Sequence, residues 1–158
     1  MLNEDDVLFY LKEYLLNKGW EILSYKSPGG HGGIPIKISH KKSIVLDMIA
    51  LKSNFVICIE AKSKYNNKDK DKLDFVFSND NIFQGLKNIC ITEINKRELS
   101  LIGNICYIKT LAYSVGNERL DEFITFKIKS PNNIQCIIGN KVPRSYFKTS
   151  SLITAQNH

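Results

Sequence analysis

The order of patterns along the 158-residue chain predicts an α/β (α+β) fold, in which helices flank a central mixed sheet. Three observations support this prediction. Residues 4–18 carry apolar side chains at helical spacing, and residues 43–62 contain two β-rich runs joined by a short polar turn. Residues 80–90 are helical in pattern again, and further β-rich runs follow them. A chain of this length favours a single domain, whether it is a whole protein or part of a longer one.

The first helix is expected over residues 4–18. Val7, Leu11 and the other apolar positions recur at the i, i+4, i+7 spacing of one helix face. Asn3 is the expected N-cap, because its side chain can accept a hydrogen bond from an N–H group of the first turn. Gly19 marks the end of the helix.

The middle of the chain is predicted to form strands separated by turns. Residues 20–25 alternate like a strand, and residues 27–35 contain four glycines and two prolines, which indicates a loop. Residues 43–51 and 55–62 are β-rich, and the polar residues 52–54 between them predict a hairpin turn.

Fewer strong patterns follow the hairpin. The polar residues 65–72 are expected to form a mobile loop, and residues 80–90 a helix with Asp80 as its N-cap. Residues 104–113 and 123–130 are predicted to be strands.

Net charge, cysteine spacing and the length of the apolar runs indicate which partners and location to expect. The formal charge is +6, from 22 Lys and Arg against 16 Asp and Glu, which suits a polyanionic partner without requiring one. The four cysteines form no C-x-x-C pair, so we expect buried reduced thiols rather than a zinc site. The acidic start of the chain and its short apolar runs predict a cytoplasmic protein with no membrane partner.

Asp47 is the first candidate for function, because it lies among apolar residues where an unpaired carboxylate is costly to bury. The predicted hairpin places Asp47 and Glu60 on facing strands near the same end. Glu60 and Lys62 are two residues apart, so they share one face of their strand. Two interpretations remain open: a structural cluster of ion pairs, or a divalent metal site.

The metal interpretation assigns a role to each group. Mg²⁺ or Mn²⁺ would bind the carboxylates of Asp47 and Glu60 and the backbone carbonyl of Ala61, since these ions prefer oxygen ligands. Lys62 would orient or deprotonate the attacking water. The apolar setting of Asp47 favours this interpretation over an exposed ion pair.

These residues resemble the signature of the PD-(D/E)XK nuclease superfamily: an aspartate, a hairpin, and then Glu-x-Lys, here Asp47, Glu60 and Lys62. The upstream helix, Gly-Trp strand and Ser-Gly loop resemble those of archaeal Holliday-junction resolvases and small restriction-type endonucleases. The resemblance implies a restriction-endonuclease-like αβββαβ core over about residues 4–110, and it leaves residues 111–158 as a family-specific extension. Leu46 stands where many members have proline, and the segment before Asp47 is longer than in resolvases.

The resemblance also implies roles for particular residues. Asp47, Glu60 and Lys62 would be the catalytic residues, with Asp47 and Glu60 as metal ligands. Many members use a further acid on the first helix, for which the candidates are Glu4, Asp5, Asp6 and Glu13. Further possible site residues are Ser27 and His31 in the glycine loop and Gln84 in the second helix.

Lysines on both sides of this segment could contact phosphates, or could simply form a solvated surface. The candidates are Lys37, Lys41, Lys42, Lys64 and Lys68. Near the C-terminus, Arg144, Tyr146, Phe147 and Lys148 could contact nucleic acid or form a loosely attached tail. The glycine loop matches neither a P-loop nor a Rossmann fingerprint, so no nucleotide cofactor is expected.

The function expected from the resemblance is metal-dependent hydrolysis of DNA phosphodiester bonds. Cutting both strands requires two sites, so a homodimer is expected. Two alternatives are kept. One is a nucleic-acid-binding module or a subunit of a larger complex that has lost catalysis, and the other is an RNA endonuclease similar to the viral cap-snatching enzymes.

Overall fold

The computed structural model describes residues 2–101 and 103–143, and it confirms the mixed α/β class. The described residues contain three α-helices, a six-stranded mixed sheet and a separate two-stranded hairpin. The elements are α1 Glu4–Asn17, β1 Glu21–Tyr25, β2 Pro35–Lys37, β3 Ser43–Val45, β4 Met48–Lys52, β5 Phe55–Lys64, α2 Asn67–Ser78, α3 Asp80–Lys96, β6 Cys106–Val115, β7 Phe123–Ser130 and β8 Asn133–Ile138. None of the described helices is long and apolar enough to cross a membrane.

The central sheet has the strand order β1-β4-β5-β6-β7-β8. Strands β5, β6 and β7 are parallel, whereas β4, β1 and β8 pair antiparallel with their neighbours. Helices α2 and α3 form the crossover from β5 to β6. Strands β7 and β8 lie in the segment expected to be an extension, and they continue the same sheet.

Helices pack on both faces of the sheet, so the protein has two hydrophobic cores, one on each face. Leu11 and Leu15 of α1 pack against Ile57 and Ile59 of β5 on one face. On the opposite face, residues of α2 and α3 pack against β5 residues that point the other way. These residues are Leu73, Leu86, Cys90, Val56 and Cys58.

The first predicted elements are confirmed with small shifts in their bounds. Asn3 caps α1, and its side chain accepts a hydrogen bond from the Asp6 N–H at 2.8 Å. The run 43–51 is not one continuous strand, because the chain leaves the β2–β3 hairpin at Leu46 and enters the central sheet at Met48. Asp47 lies at this break.

Two predictions about the helices are wrong. Residues 65–72 are not a loop: α2 begins at Asn67, and its buried stripe includes Leu73. The polar run mostly forms the outer face of this helix. The N-cap of α3 is Asn79 rather than Asp80, and the helix continues beyond residue 90 to Lys96 because Ile94 extends the same buried stripe.

Candidate active site

Asp47 and Glu60 meet where β4 begins and β5 approaches its end. Met48 pairs with Ile59, so the next residues outward along the two antiparallel strands, Asp47 and Glu60, face each other. The Asp47 N–H donates to Glu60 Oε2 at 2.9 Å, and the Ala61 N–H donates to Asp47 Oδ2 at 2.8 Å. Each carboxylate is therefore oriented by the backbone of the other strand.

Both carboxylates lie in a poorly solvated position, with Asp47 6% and Glu60 3% exposed. Burial raises the pKa of Glu60 to about 7; the charge of Asp47 adds to this rise, while Lys72 opposes it. Burial also raises the pKa of Asp47, although the hydrogen bond from the Ala61 N–H and the charge of Lys72 act in the opposite direction. The site thus holds two acids whose charged forms are disfavoured.

Among the described residues, Lys72 supplies the positive charge nearest to Glu60, and sequence reasoning did not place it there. Its Nζ lies 2.7 Å from Glu60 Oε1 and 3.0 Å from the Val45 carbonyl oxygen. This lysine projects from α2, the segment that was expected to be a loop. Once that helix is missed, the proximity of Lys72 to Glu60 is invisible from the sequence.

Asp69 is a second residue that the sequence reasoning missed. It is 8% exposed and lies with Glu60 and Lys62 along a closely packed crevice that leaves no room for a water molecule. Burial raises its pKa to about 6, against the opposing charge of Lys62. The signal was present in the sequence, because Asp69, Leu73 and Val76 have the i, i+4, i+7 spacing of a buried helix stripe.

Lys62 lies beside the carboxylate pair and contacts the first helix. Its Nζ is 3.3 Å from Glu4 Oε2. Partial burial lowers the pKa of Lys62, but the hydrogen bond and charge of Glu4, together with Asp69 and Asp47, outweigh this and raise it. Among the acids proposed for α1, Glu4 is the one in contact with Lys62.

The other α1 candidates lie elsewhere. Glu13 is nine residues from Glu4, which is about 13 Å along a helix, and it lines a separate pocket with Tyr10 and Asn17. Asp5 is exposed, and its charge acts on Tyr25, whose pKa is raised by burial and then by Asp5. Neither acid has a hydrogen bond to the carboxylate pair among the described residues.

The glycine loop lies at the same end of the sheet as Asp47. The Lys26 N–H donates to the Asp47 carbonyl at 2.9 Å, so Ser27 begins the loop beside the site. The Ser27 hydroxyl donates to the His31 carbonyl at 2.6 Å, which closes the loop, and His31 is exposed. Gly33 has φ 78°, and a Cβ there would come within 2.7 Å of Val45.

Gln84 is not brought to the carboxylate pair by any contact of the described residues, since its side chain bonds to Asn88 within α3. The lysines proposed for phosphate contact are exposed or close to solvent. Lys37, Lys41 and Lys42 lie on or near the β2–β3 hairpin, Lys64 ends β5, and Lys68 lies in the first turn of α2. The basic segment with Arg144, Tyr146, Phe147 and Lys148 lies outside the described residues.

The donor atoms suit a hard divalent cation with a partly aqueous shell. Asp47 Oδ1 accepts no hydrogen bond from the described protein groups, whereas Glu60 uses both oxygens. No cluster of three or more His, Cys, Asp or Glu side chains in the described ranges has a metal-binding arrangement. Mg²⁺ usually keeps several waters and takes only one or two carboxylates, so the pair fits it.

Comparison of the chain with protein-family models, curated proteins and solved structures found no match. The case for a functional site therefore rests on the residues and their geometry.

Proposed function

We propose that this protein is a metal-dependent DNA endonuclease of the PD-(D/E)XK type. The observation that carries the proposal is the pair of buried carboxylates, Asp47 and Glu60, aligned by reciprocal backbone hydrogen bonds with Lys62 two residues further along the same strand. Burying two acids 13 residues apart in sequence is unfavourable for folding. The two buried carboxylates would be explained if they bind a cation that a hydrolytic reaction needs.

The arrangement of elements is compatible with this proposal. Helix α1, the strands β1, β4 and β5, a helical crossover and then β6 follow the αβββαβ order expected from the resemblance. The inserted β2–β3 hairpin accounts for the long segment before Asp47. The parallel strands β5 and β6 direct their carboxyl ends to one edge, where open α/β sheets commonly bind ligands.

The proposed ligands for Mg²⁺ or Mn²⁺ are the carboxylates of Asp47 and Glu60 and the carbonyl of Ala61. When bound, such an ion acts as a Lewis acid on the phosphate and lowers the pKa of a water. Lys62 would hold the attacking water and stabilise the negative charge that develops on the phosphate. Glu4 would keep the Lys62 ammonium charged and in place, since the two are 3.3 Å apart.

Lys72 and Asp69 would have supporting roles in this scheme. Lys72 neutralises Glu60 and holds α2 against Val45 through its second hydrogen bond. Asp69 lies beside Lys62 in the same crevice and adds negative charge near the ammonium. Both belong to α2, so the docking of this helix would set the charge balance of the site.

The direct test is cleavage of supercoiled plasmid and of a four-way junction with Mg²⁺ or Mn²⁺. The wild type should cut, and Glu60→Gln and Lys62→Met should each reduce the rate at least about 100-fold, because each removes a group expected to act on the reacting phosphate. Glu13→Gln is the control on α1 and should cut like the wild type. If Glu60→Gln and Lys62→Met cut at wild-type rates, the site assignment is wrong.

A dimer is part of the proposal, because cutting two strands at one position requires two such sites. Sedimentation velocity with a duplex substrate would measure the stoichiometry. Two protein chains for each cut duplex would support it, and full double-strand cleavage by a single chain would contradict it.

A second function has one observation in its favour. Both oxygens of Glu60 already have protein partners, and one of these partners is the Lys72 ammonium. A nucleic-acid-binding module without catalysis could use this pairing as a purely structural cluster. Titration calorimetry with Mn²⁺ separates the two functions: binding that is lost in Asp47→Asn favours the enzyme, and no binding to the wild type favours the module. Matched DNA and RNA substrates would test the choice of nucleic acid.

A further inference from the structure

Two pairs of lysines lie at the carboxyl ends of β5 and β7. We name Lys62, Lys64, Lys127 and Lys129 the lysine edge. Lys62 and Lys64 are two apart on a regular stretch of β5, so they share a face of the strand, whereas Lys129 lies at an irregularity in the pairing of β7 with β8. In the sheet register Lys62 is level with Tyr113 of β6, and Tyr113 is level with Lys127. Because the two lysines are separated by two strand spacings, their Cα atoms are about 10 Å apart.

The charges of the lysine edge are largely uncompensated. Lys127 Nζ donates to the side-chain oxygen of Asn117, and Lys129 Nζ donates to the Ser114 carbonyl at 2.9 Å, so both acceptors are neutral. Within the described parts of the chain, no carboxylate lies within 4 Å of the ammonium groups of Lys64, Lys127 or Lys129.

Lysines further from the carboxyl ends of these strands have carboxylate partners. Lys109 of β6 pairs with both Asp74 and Glu122, at 2.8 and 2.9 Å, and Lys70 pairs with Asp74 at 2.7 Å. The protein supplies carboxylate partners around Lys109 and, among the described residues, none at the lysine edge beyond Lys62, which leaves these ammonium groups available to an external anion.

A short connection between β6 and β7 holds one residue of the lysine edge in place. Only seven residues, 116–122, link the parallel strands β6 and β7, and they must return from the level of residue 115 to that of Lys109. That return is about 20 Å, close to the full reach of seven residues. Gly116 starts it with φ 148°, and a Cβ there would lie 2.8 Å from the Tyr113 ring. The next residue, Asn117, holds Lys127.

A solvent-filled cavity adjoins Lys127. This cavity of about 300 Å³ lies between this connection and strands β7 and β8, and Lys127, Arg119 and Gln135 are among its lining residues. Glu118 also lines it, so the two cations outnumber the single carboxylate. Val115, which lies level with Lys64, is 37% exposed. A chain of phosphates could approach the lysine edge from solvent.

We propose that the lysine edge holds the phosphodiester backbone of the DNA substrate where it leaves the carboxylate site, with Lys64, Lys127 and Lys129 contacting phosphates. This inference rests on the proposed function and assigns a binding surface to it. The contacts carry no base information, so this part of the affinity is independent of sequence and sensitive to salt.

The test measures binding without cleavage. Fluorescence anisotropy with a labelled 20-base-pair DNA duplex in EDTA gives the dissociation constant at several salt concentrations. The double variant Lys127→Gln/Lys129→Gln should weaken binding about 10-fold or more at 100 mM salt, and the slope of log K against log[salt] should fall by about 2, since each phosphate contact contributes about 0.9. The double variant Lys127→Arg/Lys129→Arg should restore both quantities.

Lys87→Gln/Lys96→Gln on α3 is the matched control, because it removes the same charge from the helix that covers β1 and the hairpin. An unchanged slope in the lysine-edge variant, or an equal loss in the control, overturns the inference. Failure of the wild type to bind DNA would also overturn the inference. So would tighter binding of a matched RNA duplex that depends in the same way on Lys127 and Lys129. Circular dichroism confirms that each variant is folded.

Plasmid cleavage with Mn²⁺, run in parallel, separates this inference from the proposed function. If the wild type cuts, Lys62→Met does not, and Lys127→Gln/Lys129→Gln binds like the wild type, only the lysine edge fails. If DNA binding depends on the lysine edge but no protein cuts, the endonuclease proposal fails and the binding surface stands.

Discussion

Replacing Glu60 by glutamine should stabilise the protein at neutral and alkaline pH. The folded-state pKa of Glu60 is about 7, against an ordinary glutamate value of 4.5. Between these values the folded protein holds a proton that the unfolded chain has released, so stability falls as pH rises. Each pH unit of the difference corresponds to about 1.4 kcal/mol, and the charged form of Glu60 therefore costs about 3 kcal/mol of folding free energy above pH 7.

Glutamine keeps the shape of Glu60 and can still accept the hydrogen bond from the Asp47 N–H. Urea unfolding followed by circular dichroism, in EDTA, measures the free energy of unfolding at pH 5 and pH 8. Glu60→Gln should lie within about 1 kcal/mol of the wild type at pH 5 and about 3 kcal/mol above it at pH 8. Glu13→Gln, on the exposed side of α1, should differ by less than about 0.5 kcal/mol at both values.

A structural ion pair predicts the opposite sign. If the attraction between Glu60 and Lys72 outweighed the desolvation of Glu60, removing the charge would destabilise the protein at pH 8. A loss of 1 kcal/mol or more on Glu60→Gln at pH 8 would therefore refute the reasoning. It would also favour the interpretation of the cluster as part of the scaffold.

Three further substitutions have definite expected outcomes. Lys72→Met should lower the free energy of unfolding at pH 8 by about 2 kcal/mol or more in urea unfolding, because it leaves the buried Glu60 charge without its cation; no change would mean that this contact is absent in solution. Glu4→Gln should slow plasmid cleavage about 10-fold with little effect on stability, since the contact is exposed, and a rate equal to that of the α1 control would contradict a positioning role. Gly116→Ala should lower the free energy of unfolding by about 1 to 3 kcal/mol, measured by thermal unfolding, and Gly103→Ala should lower it less. Both glycines have positive φ, but only Gly116 has neighbours close to the added Cβ.

The carboxylate pair could be predicted from sequence because a short hairpin leaves little freedom. A turn at residues 52–54 fixes the register of β4 against β5, and a shift by one residue would turn the apolar side chains of these strands away from the core. Asp47 and Glu60 then have to lie opposite each other at the end. The period of two along β5 similarly places Lys62 on the face of Glu60.

The rest of the site depends on how distant elements dock. The three acids in the first turn of α1, Glu4, Asp5 and Asp6, satisfy the same local preference for negative charge near a helix N-terminus, and only the packing of α1 on β5 brings Glu4 to Lys62. Lys72 and Asp69 lie in a polar run whose few apolar residues suggested a loop. The helix forms because Leu73 and Val76 bury against the sheet, which local propensity does not reveal.

A crystal soaked in Mn²⁺ tests the central claim most directly, because anomalous scattering locates the ion independently of any activity. The metal-dependent mechanism predicts a peak within about 2.0–2.6 Å of carboxylate oxygens of both Asp47 and Glu60, the range of oxygen ligation for such cations. Clear anomalous density elsewhere, or none at this site while Lys72 remains bonded to Glu60, would contradict it.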